Sequence, residues 1–298
     1  MKLMEKIANG LVYFEGASGT MLQTMGLGPG ELGETWNLRH PQKIIDLHRS
    51  YLRAGADILK TNTFGANRLK FPQIEGPEGL EAIIRAAVAH AQEARRLAGA
   101  EDGLCAAERF IALDIGPTGR LLQPLGDLNF EEAVSIFAQV VRIGVDAGVD
   151  LLLLETFNDS YETKAAVLAA KEQANLPVFV TTVYDENQKL LTGADAKAMV
   201  ALLEGLRVDA LGINCGLGPA QMEPIVAELA RYSSLPIVVN PNAGLPRADG
   251  SGYDITPQLF ALEMKPYREL NLFAAGGCCG TTPEFIKLLN GTFAGCTP

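Results

Sequence analysis

Apolar runs rich in β-branched residues alternate along this chain with longer stretches whose apolar positions recur at helical spacing. The short runs predict strands at Leu11–Glu15, Ile58–Phe64, Phe110–Ile115, Leu151–Glu155, Val178–Val183, Ala210–Asn214, Ile237–Asn240 and Leu272–Ala275. Helices are expected from Pro41 to about Ala54, Glu78 to Leu97, Phe130 to Asp146, Tyr161 to Ala174, Ala196 to Leu206 and Pro257 to Tyr267. Two more open at Pro219 and Pro283. Eight strands each followed by a helix predict an α/β fold, a (β/α)8 TIM barrel forming a single domain over residues 1–298. An open doubly wound sheet would call for a Gly-x-Gly-x-x-Gly turn after its first strand, and Gly16-Ala17-Ser18-Gly19 is not one.

Between the first strand and Pro41 runs a glycine-rich loop (Gly26, Gly28, Gly30, Gly33) holding the only tryptophan, Trp36, which is read as a connection able to close over the barrel mouth. Asp57, Asp150 and Asp209 each stand just before a strand, at the barrel's bottom, and read as stabilising turn residues.

Charge narrows the function. Against 25 Lys and Arg stand 35 Asp and Glu, a net charge of −10, so nucleic-acid binding is not expected. No apolar run reaches the ~20 residues of a membrane helix, and Leu11-Val12-Tyr13-Phe14 is too short for a signal-peptide core. A cytoplasmic chain is expected, in which five cysteines favour metal or catalytic roles over disulfides.

In such a barrel function collects at the C-terminal strand ends. Those ends carry Glu15, Thr61-Asn62-Thr63, Asp114, Glu155, Asn214, Cys215, Asn240, Asn242, Cys278 and Cys279. Cys278 and Cys279 sit between glycines at the exit of the last strand, and Cys215 precedes Gly216 at the end of the sixth. One such cysteine reads as a small hydrophobe. Three in one ring read as an open zinc site whose fourth position is left for substrate. His40, His48 and His90 fall on helices and read as ordinary helix-face residues, so the site is all sulfur. Three thiolates leave Zn²⁺ with a net charge of about −1, a poor activator of water but a good binder of a fourth thiol. Cys105 and Cys296 have no such context and are taken as bystanders.

These motifs resemble the zinc-dependent homocysteine S-methyltransferase family over nearly the whole chain. They are Glu15-Gly16-Ala17-Ser18-Gly19-Thr20, Thr61-Asn62-Thr63-Phe64-Gly65-Ala66, Asp114-Ile115-Gly116-Pro117-Thr118-Gly119, Glu155-Thr156-Phe157, Gly212-Ile213-Asn214-Cys215, Pro241-Asn242-Ala243-Gly244 and Gly276-Gly277-Cys278-Cys279-Gly280-Thr281-Thr282-Pro283. Within the family the likeness is greatest to the homocysteine-binding barrel of cobalamin-dependent methionine synthases. The resemblance implies Zn²⁺ on Cys215, Cys278 and Cys279, with homocysteine sulfur in the open position. It implies Asn242 close to the metal, Glu155 on the substrate ammonium, and the Gly16-Ala17-Ser18 amides on its carboxylate. Thr20, Asp114 and Asn214 complete the expected substrate contacts.

Glu15 departs from the family's usual Asp at that position, a methylene longer, which bears on the choice of amino-thiol. Few residues follow Cys279, so a free-standing barrel without folate, cobalamin or activation modules is expected. The expected activity is methyl transfer from a methylcobalamin or other methyl-corrinoid on a partner protein to L-homocysteine, giving methionine. S-methylmethionine or betaine are the alternative donors, and a non-catalytic zinc- or thiol-binding subunit of a corrinoid complex is the alternative of another class.

Overall fold

The structure is a computed structural model and describes residues 3–8, 10–71, 79–247, 250, 252–270 and 272–293. Strands β1 (Val12–Tyr13), β2 (Ile58–Lys60), β3 (Phe110–Ile115), β4 (Leu151–Phe157), β5 (Val178–Thr182), β6 (Ala210–Asn214), β7 (Ile237–Asn240) and β8 (Leu272–Ala275) are all parallel, in the order β1-β8-β7-β6-β5-β4-β3-β2. The ring closes between β1 and β2 through a bridge from Phe14 to Ile58, where Glu15 N–H donates to the Ile58 carbonyl at 3.0 Å. The expected barrel is therefore present.

Helices α1 (Leu3–Ala8), α2 (Gly19–Thr24), α3 (Trp36–Arg39) and α4 (Pro41–Arg53) come first in the chain. They are followed by α5 (Leu80–Glu101), α6 (Phe130–Ala147), α7 (Ser160–Gln173), α8 (Ala196–Gly205), α9 (Pro219–Tyr232), α10 (Pro257–Glu263) and α11 (Pro283–Phe293), wrapping the outside. Side-chain oxygens of Asn129, Asp159, Asp195 and Thr256 accept N–H groups at the starts of α6, α7, α8 and α10, satisfying donors that a first turn leaves free.

Alternation along each strand sorts the side chains into two cores. Val12, Phe14, Ile58, Phe110, Ala112, Leu151, Leu153, Phe179, Ala210, Val238 and Ala274 fill the barrel, and α1 contributes Leu3 and Ile7 to the same cluster. Their strand neighbours, such as Leu59, Ile111, Leu113, Leu152, Leu154, Leu211 and Ile213, pack outward with the helices. The same parity turns Lys60, Asp114, Glu155, Thr181, Asn214 and Asn240 to the inside at the strands' C-terminal ends, and all six are buried. A polar layer thus caps an apolar barrel.

Three expectations need correcting. The second strand stops at Lys60 rather than Phe64, because threonine hydroxyls replace the ladder: Thr61 Oγ1 accepts from Asp114 N–H (3.1 Å) and Thr63 Oγ1 donates to the Asp114 carbonyl (2.7 Å). The glycine-rich stretch holds α2 and α3, and Trp36 is buried against Leu22, Ile44 and Leu47 with its Nε1 donating to Glu31 (3.0 Å). It anchors that segment and is not free to swing over the mouth. The helix from Pro257 breaks after Glu263, and Lys265–Glu269, which contains Pro266, continues as a tighter 3-10 turn. Glu78, the expected first residue of the second helix, lies outside the described residues, as does Cys296.

The aspartates before the strands act as anchors. Asp57 takes Lys6 (2.7 Å) and Arg109 (2.8 Å) on one oxygen and Tyr13 N–H (3.0 Å) on the other. Asp150 holds Arg95 and Ile111 N–H, and Asp209 holds Lys171 and Val178 N–H. Asp57→Ala is expected to lower unfolding stability by about 2–3 kcal/mol, the scale for lost hydrogen bonds to charged groups. Zinc binding at the far end should be unchanged. Urea unfolding together with metal analysis checks both. Among the described residues no helix is long and apolar enough to cross a membrane.

Candidate active site

The loops leaving β6, β7 and β8 meet at one side of the mouth, and backbone hydrogen bonds lace them together. Cys215 N–H donates to the Asn240 carbonyl (3.1 Å), Cys278 N–H to that of Pro241 (2.8 Å), and Ala243 N–H to that of Cys279 (2.9 Å). Cys215 itself adopts φ +61°, left-handed and unfavourable for a residue with a Cβ, followed by Gly216 at φ +79°. Gly277 admits no side chain, since a Cβ there would lie 2.3 Å from Thr281 Oγ1. That hydroxyl accepts from Ala17 N–H (3.1 Å) and donates to the Cys278 carbonyl (2.7 Å), tying the first strand's exit to the cysteine turn.

The result is a cluster in which the sulfurs of Cys215, Cys278 and Cys279 lie within 4.8 Å of one another, with Cys215 and Cys279 at 3.8 Å. Zinc–sulfur bonds of about 2.3 Å at tetrahedral angles hold sulfurs roughly 3.8 Å apart, so the donor set fits that ion. As free thiols the three are strongly unequal. Hydrogen bonds from Cys215 and then Cys278 bring Cys279 down to about 3. Hydrogen bonding with Cys278 and then with Cys279 pushes Cys215 far up. Cys278, lowered by Cys215 but raised by Cys279 and burial, ends at about 11. Two thiols thus stabilise one thiolate, a charge distribution a cation would take over while displacing the protons. Asn242 Oδ1 and both polar atoms of the Asn240 side chain are buried with no hydrogen-bond partner among the described residues, leaving polar capacity beside this turn.

A cavity of about 400 Å³ opens over the sulfurs, within the range of small-molecule sites. Cys215, Cys278 and Cys279 line one side, Lys60, Asp114, Glu155 and Thr156 the floor, and Ala17, Ser18, Gly19 and Thr20 another wall. A first helical turn leaves N–H groups without intrahelical acceptors, and Ser18, Gly19 and Thr20 stand at the start of α2. Ala17 N–H is already engaged by Thr281. A larger cleft of about 670 Å³ lies at the opposite face, but its Arg95, Arg109 and Asp150 are used in the anchoring pairs described above.

Not every expected site residue reaches this cavity. Glu15, Gly16, Asn214 and Asn242 stand behind its wall. Glu15 is fully buried and accepts from Lys60 N–H (3.0 Å) and pairs with His48 Nδ1 (3.0 Å). Its extra methylene spans the distance to α4, and its reach is spent on protein partners. His48 is thereby corrected from a helix-face residue to a buried partner of the first motif. Asn214 Oδ1 accepts from Thr156 N–H (2.8 Å) and Thr181 Oγ1 (2.7 Å), while its Nδ2 donates to Thr156 Oγ1 (2.7 Å) and faces Cys278 Sγ at 3.8 Å. It clamps Thr156, a β-branched residue at φ +67°, and so fixes the strand end that carries Glu155.

Two features at or beside the cysteine cluster escape the sequence reading. Lys60 Nζ, only slightly exposed, lies 3.4 and 3.5 Å from the two Glu155 oxygens. Burial pulls its pKa down, but Glu155 and then Asp114 push it up and prevail, so it stays charged. Burial and then the neighbouring Glu155 raise Asp114 well above the usual carboxylate range, and burial likewise raises Glu155 against the pull of Lys60. The other is Tyr253, whose phenol is pushed up to about 12 by burial and then by Cys279 beside it. A buried lysine within an apolar strand is an informative signal in any sequence, since such residues are almost never buried unless paired.

Comparison with known proteins places these features. Residues 12–293 match the family model for homocysteine S-methyltransferase. The chain is 32% identical to a methionine synthase of Mycobacterium leprae over 99% of its own length, and 30% identical to that of Mycobacterium tuberculosis over 96%. It spans 25% of the length of each of these relatives. The crystal structure of the homocysteine methyltransferase MmuM from Escherichia coli, in its metallated form, superposes with a TM-score of 0.81 at 26% identity, covering 94% of this chain and 96% of that one.

Proposed function

The chain belongs to the homocysteine S-methyltransferase family, and we propose on that footing that it is a zinc-dependent thiol methyltransferase that transfers a methyl group to L-homocysteine or a related amino-thiol. The observation that carries this reading is the cluster of Cys215, Cys278 and Cys279 at zinc-ligand spacing on the wall of a small polar cavity. These three residues would hold Zn²⁺. Bound there, the ion supplies an open position at which an incoming thiol loses its proton and stays nucleophilic at neutral pH.

The protein's own part is positioning. The Ser18, Gly19 and Thr20 N–H groups suit the acceptor's carboxylate. Asp114 and Glu155 offer acceptors to its head, and the cavity directs the sulfur outward to the mouth. Sulfur then attacks the methyl carbon in line with the leaving group, which departs with the electron pair of the broken bond. No general base is needed in that step. Likeness to methionine synthases favours a methyl-corrinoid held by a partner protein as donor.

The test is methyl transfer to L-homocysteine by zinc-loaded protein with methylcobalamin, S-methylmethionine and betaine in parallel. Methionine formed from methylcobalamin is expected. Transfer only from the sulfonium or betaine would reassign the donor. Full zinc content with no transfer from any donor would favour a non-catalytic thiol-binding subunit.

A further inference from the structure

The cavity floor carries a cation that the thiol-transfer reading does not use. Lys60 Nζ has three donors, and among the described residues its hydrogen bonds are two long ones, at 3.4 and 3.5 Å, to a single carboxylate, Glu155. Charge-assisted bonds between an ammonium and a carboxylate usually run at 2.7–2.9 Å. The Lys60 ammonium is therefore under-bonded, 4% exposed, and faces the same cavity as the sulfurs. It also stands where a substrate ammonium would approach Glu155. A second ammonium arriving there meets a like charge within contact range, with Asp114 as the remaining carboxyl.

We propose that Lys60 is a specificity-determining residue that supplies from the protein the cation Glu155 would otherwise draw from substrate, so that the acceptor class extends to short mercapto acids, a thiol with a carboxylate and no α-ammonium. This rests on the thiol-acceptor reading above and narrows its head group. The spare Lys60 donors favour an anionic head over a zwitterionic one. His48 and Lys60 N–H hold Glu15 behind the wall, so its charge acts on the lysine from a distance and its oxygens do not occupy the spare Lys60 donors.

The probes are L-homocysteine and 4-mercaptobutyrate, which differ only in the α-ammonium. Each is titrated calorimetrically into zinc-loaded wild type, Lys60→Met and Lys60→Arg, and methyl transfer to each is followed alongside. Wild type is expected to bind 4-mercaptobutyrate at least as tightly as homocysteine. Lys60→Met should shift the ratio of dissociation constants toward homocysteine by at least about tenfold, the scale of one neighbouring like charge. Lys60→Arg, which keeps the charge, should restore the wild-type order. Tighter binding of homocysteine by wild type, or a ratio unchanged in Lys60→Met, overturns the proposal. If Lys60→Met does not fold, the wild-type ratio alone decides. Neither thiol binding to fully zinc-loaded wild type refutes the thiol-acceptor reading itself, and the proposal with it.

Discussion

Replacing Cys279 with alanine is expected to reduce zinc from about one ion per chain to a trace and to lower methyl transfer by at least about 1,000-fold. The argument is geometric. Among the described residues only three sulfurs converge, and Cys279 sits 3.8 Å from Cys215, at the spacing two ligands of one tetrahedral zinc adopt. A site with one ligand already reserved for substrate cannot lose another and keep its ion. Loss of a mere supporting partner around a metal costs roughly 10–100-fold, so loss of a ligand must cost more. The fold itself should survive. The Ala243 N–H bond is to the Cys279 backbone carbonyl, which alanine retains. Metal analysis, circular dichroism and rate on the same preparation separate these effects. Retention of zinc by a folded Cys279→Ala protein would mean that the ion, if present, is held elsewhere.

Asn214→Ala is expected to cost about 2–4 kcal/mol in stability and to slow methyl transfer by roughly 10–100-fold. One side chain here serves both halves of the site. Its Oδ1 satisfies Thr156 N–H and Thr181 Oγ1, and its Nδ2 joins Thr156 Oγ1 and faces Cys278. Alanine leaves those buried groups unpaired and Thr156 in a left-handed conformation without its clamp. Relaxation of Thr156 would carry Glu155 with it, because the two are adjacent at the end of β4. The cavity floor would then lose its geometry while the three thiols remain. Urea unfolding and kcat/KM for the acceptor thiol measure the two consequences. Unaltered stability and rate would show that Asn214 is a bystander beneath the site.

Much of this arrangement was legible in the chain. Period-2 alternation predicts which side of each strand faces the barrel axis. It therefore places Asp114, Glu155 and Asn214 together at the mouth before any contact is known. The cysteines stood out because glycines flank them, and the structure gives the reason at Gly277, where any Cβ would strike Thr281. Lys60 escapes a sequence reading in which the second strand runs on to Phe64, which sets its functional end four residues too far. The threonine hydroxyls that terminate the ladder act across to β3, beyond what a local pattern records.

The role of His48 is hidden from the sequence for a related reason. It occupies the buried stripe of α4 with Ile44, Leu47, Tyr51 and Leu52, a position that sequence periodicity reads only as inward. Its partner Glu15 lies 33 residues away, across the first βα connection. The same tertiary demand explains why Glu15 stands behind the cavity. Its longer side chain is taken up by His48 and the Lys60 amide, and the residues in front of it line the cavity.

The account's central claim is that Cys215, Cys278 and Cys279 hold one zinc whose remaining position accepts the substrate sulfur. Zinc-edge X-ray absorption of the loaded protein, recorded before and after saturation with L-homocysteine, tests it most directly. The account predicts three sulfurs and one lighter ligand before addition, and four sulfurs near 2.3 Å after it. A protein that takes up no zinc under reducing conditions, or a spectrum that the thiol leaves unchanged, would contradict it.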